Sequence, residues 1–147
     1  MREAVIVSTA RTPMGKAFRG AFNDTEAPAL SGHAVEQAIK RAGIDGAEID
    51  DVIIGCAAQQ GTQGYNLGRL TATAASLPNS VPGMTLDRQC SSGLMSIGFA
   101  AQNIMIGAMD TVVAGGVESI SMVAVKKRNS GTLQNNQSLL LGNFFIH

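Results

Sequence analysis

The chain has 147 residues, about one domain's worth. Its formal net charge is zero and only 15% of residues are charged, which removes the electrostatic case for nucleic acid or a membrane surface as partner. Aromatics make up 4%, tryptophan is absent and glycine numbers 17, a composition that suits a tightly layered α/β protein and excludes a disordered or fibrous one.

The N-terminal apolar run is too short for a signal peptide, and Arg11 interrupts it. Cys56 and Cys90 are therefore read as reduced thiols of a cytoplasmic protein. Ala4 to Ala10 reads as a first strand. Its Val5-Ile6-Val7 run has no alternation, as a strand covered on both faces would have. A glycine-punctuated loop follows, in which Lys16 and Arg19 read as solvated charges. Pro28 then opens a helix to Ala42, with Leu30, Ala34, Val35, Ala38, Ile39 and Ala42 on one face. Proline suits the first turn and Gly43 the position just past the end. His33, on this helix, has no companion at metal-ligand spacing and reads as an ordinary surface or boundary histidine.

Val52 to Ala57 is the second strand, with Cys56 as a small buried hydrophobe. The loop AQQGTQGYN leads to a helix over Leu67 to Leu77, thin in side chains and able to pack closely. Arg69 near its start reads as structural or at an interface rather than catalytic. Met84 to Gln89 is the third strand, and the chain turns into a helix at Cys90-Ser91-Ser92-Gly93. Amides of the helix's first turn and the helix dipole would favour thiolate at Cys90. Behind it, Leu94, Met95, Ile97, Phe99, Ile104, Met105, Ile106 and Met109 surround the axis, which predicts a helix buried on every side. Thr111 to Ala114 is a fourth strand. Gly115-Gly116 then allows another backbone or a ligand to come near. After Met122 the periodicity is lost, so residues 123–147 are expected to be a divergent or irregular tail on a domain of residues 1–122. Strands alternating with helices predict an α/β fold with a mainly parallel sheet and helices on both faces.

On chemistry alone, Cys90 is a candidate thiolate nucleophile whose partners are not visible. A GxSxG elbow, a GxGxxG turn after a strand, a P-loop and a CxxC pair are all missing. Four segments carry more: EAVIVSTARTPMGKAFRGAF, DVIIGCAAQQGTQGYNLGR, LDRQCSSGLMSI and AGGVESISM. Together they resemble the N-terminal part of the thiolases, acetyl-CoA acetyltransferase and 3-ketoacyl-CoA thiolase, from about Arg2 to Met122. Many members have asparagine where this chain has Asp87.

The resemblance implies a half-fold of a layered αβαβα architecture. It implies an acyl-CoA C-acyltransferase of fatty acid metabolism and β-oxidation in which Cys90 becomes acylated. Its own backbone N–H would donate to the thioester oxygen. Ser91, Ser92 and Gly93 would line the substrate pocket, and Gly115, Gly116, Glu118 and Ser119 would shape its floor. CoA and acyl-CoA would be substrates, with no metal or bound cofactor, and the full-length protein would be a homo-oligomer. The histidine of the family's GHP segment, the second cysteine of its CxG segment, its water-holding asparagine and most of its CoA-binding loop domain do not occur in these residues. The expectation is a fragment, from a truncated or frameshifted gene, that lacks thiolase activity by itself. Two alternatives stay open: a ketoacyl-synthase-type condensing enzyme, and a non-catalytic binding or assembly module.

Overall fold

In the strand Asp51–Gly55 (β2), Val52 and Ile54 join one cluster of buried side chains and Ile53 joins another. All three are fully buried. A strand closed on both faces needs a helical layer above and below it. The computed structural model, which describes residues 2–123 and 144–146, supplies both. The elements are β1 (Ser8–Ala10), α1 (Ala27–Ala42), β2, α2 (Leu67–Ala74), β3 (Gly83–Leu86), α3 (Ser92–Met105), β4 (Val112–Gly116) and β5 (Phe144–Ile146). They form one sheet in the order β1-β5-β4-β2-β3. β3, β2 and β4 run parallel, and β5 pairs antiparallel with β4 and β1. The α/β class with a mainly parallel sheet is as expected.

Helices α1 and α2 cover one face, where Val35, Ala38, Leu67 and Ala72 meet Val52, Ile54 and Val113. They approach each other closely because Gly32 lies against Ala74, where a Cβ would come within 2.6 Å of the alanine methyl. The Ser31 and Thr71 hydroxyls hydrogen-bond across the same contact at 2.6 Å. Helix α3 covers the other face, with Ala100 and Ile104 against Ile53, Val112 and Ala114. Pro28 and Gly43 act as expected: the proline is in the first turn of α1, and Gly43, at φ 70°, closes it with an N–H bond to the Ile39 carbonyl. Arg69 is structural, donating to the Val81 and Asn79 carbonyls.

Three expectations are corrected. The first strand is shorter than Ala4 to Ala10. Its pairing with β5 begins at Ser8, and Val5, Ile6 and Val7 are each more than half exposed. Helix α3 is not buried on every side. Ser92, Ser96, Ala100 and Ile104 are buried, while Leu94 is 74% and Ile106 73% exposed. The sheet covers only one side of it among the described residues. Part of the tail is regular, since Phe144–Ile146 forms β5. Three residues are too few to show a period. Residues 124–143 and 147, the rest of the expected tail, lie outside the described residues.

Candidate active site

The parallel strands end together, and their exits build the site. Gly55 ends β2, Gly116 ends β4, and α3 begins between them. This start is held by backbone contact. A Cβ on Gly55 would lie 2.2 Å from the Ser92 carbonyl carbon, and one on Gly116 would lie 2.8 Å from the Gly93 Cα. Only glycine permits so close an approach. The Ser96 hydroxyl ties the helix to the sheet through the Gly115 carbonyl at 2.7 Å.

A small pocket of about 20 Å³ opens at this junction, room for one water-sized group. Gly55, Cys56 and Ala57 line it from the exit of β2, and Gln89 and Cys90 from the turn before α3. Ser92 and Gly93 contribute from α3, and Gly116, Val117 and Glu118 from the exit of β4. Of the residues singled out in the sequence, Cys90, Ser92, Gly93, Gly116 and Glu118 therefore share one pocket. Ser91, Gly115 and Ser119 stand beside it. Ser91 is the exposed N-cap of α3, Gly115 lies within β4, and Ser119 is buried with its amide bonded to Gln63 Oε1.

Cys90 is exposed and Cys56 is buried. Helix α3 starts at Ser92, within the Cys90-Ser91-Ser92-Gly93 segment expected to open it, after a tight turn. In that turn the Ser91 N–H donates to the Arg88 carbonyl at 3.1 Å, and the Ser92 N–H to the Gln89 carbonyl at 3.0 Å. Those two amides are used by the turn, contrary to the expectation that first-turn amides stand free to favour thiolate. Gln89 takes a left-handed conformation, φ 52°, which costs a non-glycine residue about 1 kcal/mol.

Glu118 anchors the loop after β2. Its carboxylate accepts the Ala57 N–H at 2.9 Å, the Ala58 N–H at 3.3 Å and the Gln63 side-chain amide at 2.5 Å. Gln63 is fully buried and also donates to the Ala58 carbonyl at 2.8 Å. The Cys56 thiol donates to Glu118 Oε1 at 3.7 Å. Burial, and then the Glu118 charge beside it, push this thiol up to about 12. Cys56 is thus an inert sulfur next to an accessible one. Its pocket position and the role of Gln63 were missed in the sequence, because both depend on Glu118, some sixty residues away. No group of three or more His, Cys, Asp or Glu among the described residues could hold a metal ion. No helix among them is long and apolar enough to cross a membrane.

The fold is thus a parallel αβα unit with an exposed cysteine on its strand-to-helix turn, between glycine-lined strand exits. The family model for the thiolase N-terminal domain matches residues 4–143, and the chain belongs to the thiolase family. It is 50% identical over 123 residues to the 3-ketoacyl-CoA thiolase of Bacillus subtilis (strain 168), covering 84% of this chain and 32% of that protein. It is 41% identical over 142 residues to a probable acetyl-CoA acyltransferase of Staphylococcus aureus (strain NCTC 8325 / PS 47), covering 95% and 36%. A crystal structure of Acat5 thiolase from Ascaris suum in complex with coenzyme A superposes with a TM-score of 0.78 at 32% identity, covering 83% of this chain and 31% of that one. The chain thus spans about a third of the length of the curated relatives it matches.

Proposed function

We propose that this chain is the nucleophile-bearing part of an acyl-CoA C-acyltransferase of the thiolase type, with Cys90 as the residue that is acylated. The observation that carries this reading is the contrast at the pocket. Cys90 is exposed on its turn, while Cys56, lining the same pocket, is buried and protonated.

In the proposed reaction the Cys90 thiolate attacks the ketone carbon of a 3-ketoacyl-CoA. The bond between the α and β carbons breaks. The acyl group stays on sulfur as a thioester, and the departing carbanion takes a proton to become acetyl-CoA. The thiolate of a second CoA then attacks the thioester, and Cys90 leaves as thiolate. Run backwards, the same steps condense two acyl-CoA molecules. Sulfur suits both roles, being a good nucleophile and a good leaving group. The small residues Gly93 and Gly116 let a planar carbonyl come close to it. The presence of coenzyme A in the Ascaris suum thiolase supports CoA as the partner here. The proton-handling residues of the family's GHP and CxG segments are not in this sequence, so steps that need them belong to a longer thiolase.

Incubating the 147-residue protein with excess acetyl-CoA, followed by peptide mass spectrometry, tests the assignment. The expected result is a single acetyl thioester on Cys90, absent from Cys90→Ser, with Cys56 unmodified and acetoacetyl-CoA turnover at background. Acetylation of another residue with Cys90 left free would overturn it.

A further inference from the structure

Two thiols line one pocket, and only one of them is exposed. A clasp between the loop after β2 and the exit of β4 stands over the other. Gln63 is at its centre and is fully buried. Its Nε2 donates to the Ala58 carbonyl at 2.8 Å and to Glu118 Oε1 at 2.5 Å, and its Oε1 accepts the Ser119 N–H. The site needs two donors at one end of this side chain and an acceptor at the other. A carboxamide meets that need, and a carboxylate or an apolar side chain of the same length does not.

Glu118 passes the constraint on to the sulfur. The carboxylate that Gln63 fixes also accepts the Ala57 N–H at 2.9 Å, the Ala58 N–H at 3.3 Å and the Cys56 thiol at 3.7 Å. Among the described residues, every hydrogen bond between residues 57–63 and residues 117–119 ends on Glu118 or Gln63. The loop's remaining bonds are local, such as the Gln60 N–H to the Ala58 carbonyl at 2.7 Å and Gln59 Nε2 to the Cys56 carbonyl at 3.1 Å. The ladder of β2 and β4 ends just before the clasp, with the Val117 N–H on the Gly55 carbonyl at 3.1 Å. The loop can therefore open without unzipping the sheet, and the clasp is what opposes that opening.

We propose that Gln63 is a positioning residue that, through Glu118, keeps the second thiol of the pocket shut, so that incoming electrophiles reach Cys90 alone. This rests on reading Cys90 as the nucleophile. A thioester on Cys90 passes its acyl group to any further thiolate that attacks it, Cys90 leaving as thiolate, so a second open thiol would compete with CoA.

The test uses no acyl transfer. Labelling of Cys56 and Cys90 by iodoacetamide is followed by peptide mass spectrometry at one pH, in rising urea below the unfolding transition. Global unfolding exposes much surface and depends steeply on urea, whereas a local opening hardly does. In the unaltered chain Cys56 is expected to be labelled only through global unfolding, with the urea dependence of the equilibrium transition. Gln63→Met keeps the length and removes the bonds. In it, Cys56 labelling without urea is expected to rise about tenfold or more and to lose its urea dependence. Val35→Ala, in α1 and outside the pocket, is the control for lost stability alone and is expected to keep the steep dependence. If Gln63→Met does not fold, Gln63→Asn, too short to span both ends of the clasp, takes its place.

Urea-independent labelling of Cys56 in the unaltered chain overturns the proposal, because the thiol would already be open. So does a steep dependence in the Gln63 variant, or a lost one in Val35→Ala. Failure of both Gln63 variants to fold overturns it too, because the clasp is held to close one loop and not to carry the fold. A shut Cys56 in a chain whose Cys90 takes no acetyl group would sink the functional reading and leave this one standing. Acetylation of Cys90 beside an open Cys56 in the unaltered chain would do the reverse.

Discussion

Helices α1 and α3 lie on opposite faces of one sheet and are built in opposite senses. Helix α1 buries Ala34, Val35, Ala38 and Ile39 and turns His33, Glu36 and Lys40 to the outside. Helix α3 presents Ser92, Ser96, Ala100 and Ile104 to the sheet and turns Leu94, Met95 and Ile106 away from it. The first is an outer layer with water beyond it. The second puts the small residues Ser92, Ser96 and Ala100 inward together with Ile104, for close approach to the sheet, and leaves Leu94 and Met95 outward. Burying a side chain such as Leu94 or Ile106 stabilises a structure by about 1.5–3 kcal/mol. Among the described residues that gain is not realised. Two helices of similar length thus do different work, one closing a core and the other holding a cysteine in place.

The comparison breaks first at Gly55. A valine there would force its Cβ onto the Ser92 carbonyl carbon, so α3 could not seat against β2. The expected loss is about 3 kcal/mol or more, read from the urea midpoint. Near-normal stability would show that α3 is not held by this contact. Ile54→Ala, in the layer closed by α1 and α2, is expected to cost about 3 kcal/mol, because its fully buried side chain leaves a cavity. Ser96→Ala removes the hydroxyl that ties α3 to the Gly115 carbonyl, at an expected cost of about 1 kcal/mol.

Asp51 sharpens the contrast through pH. Burial, and then the neighbouring Asp50 charge, raise its carboxyl above the ordinary value of 3.8, against a lowering bond from the Val52 N–H. A raised acid contributes stability that is present below its unfolded value and lost as pH rises through its folded value. Asp51→Asn is therefore expected to stabilise the chain at neutral pH and to give no gain below the ordinary carboxylate range. Thermal unfolding at two pH values checks the sign. The smallest effect belongs to the outward face of α3. Leu94→Gln with Ile106→Gln is expected to change stability by less than about 0.5 kcal/mol. The same pair should lower binding of a hydrophobic dye. A large destabilisation would mean that this face is covered in the protein as tested.

Much of this fold was legible because it is written in local chemistry. Pro28 and Gly43 bracket α1, and the apolar runs of β2 and β4 mark strands. The turn into α3 at Cys90 was legible from a strand followed by CSSG. What escaped depends on partners distant in sequence. Periodicity reported that α3 is apolar all round, but a period records a preference for burial and cannot say what supplies the cover. The Val5-Ile6-Val7 run failed for the same reason, since the ladder beside it begins only at Ser8. The glycines were flagged at Gly116 and missed at Gly55, where closeness to Ser92 exists only once β2 and α3 meet. Gln63 carried no signal at all. Its buried amide makes sense only with Glu118 and Ser119 alongside.

Gly55, Gly93 and Gly116 meet through main-chain atoms, with no side chain between them. The start of α3 beside Cys90 is thereby seated by peptide planes, which have no rotamers to sample. Side chains around the pocket can be exchanged without moving that seat. An engineer would leave these three alone and vary the side chains around them.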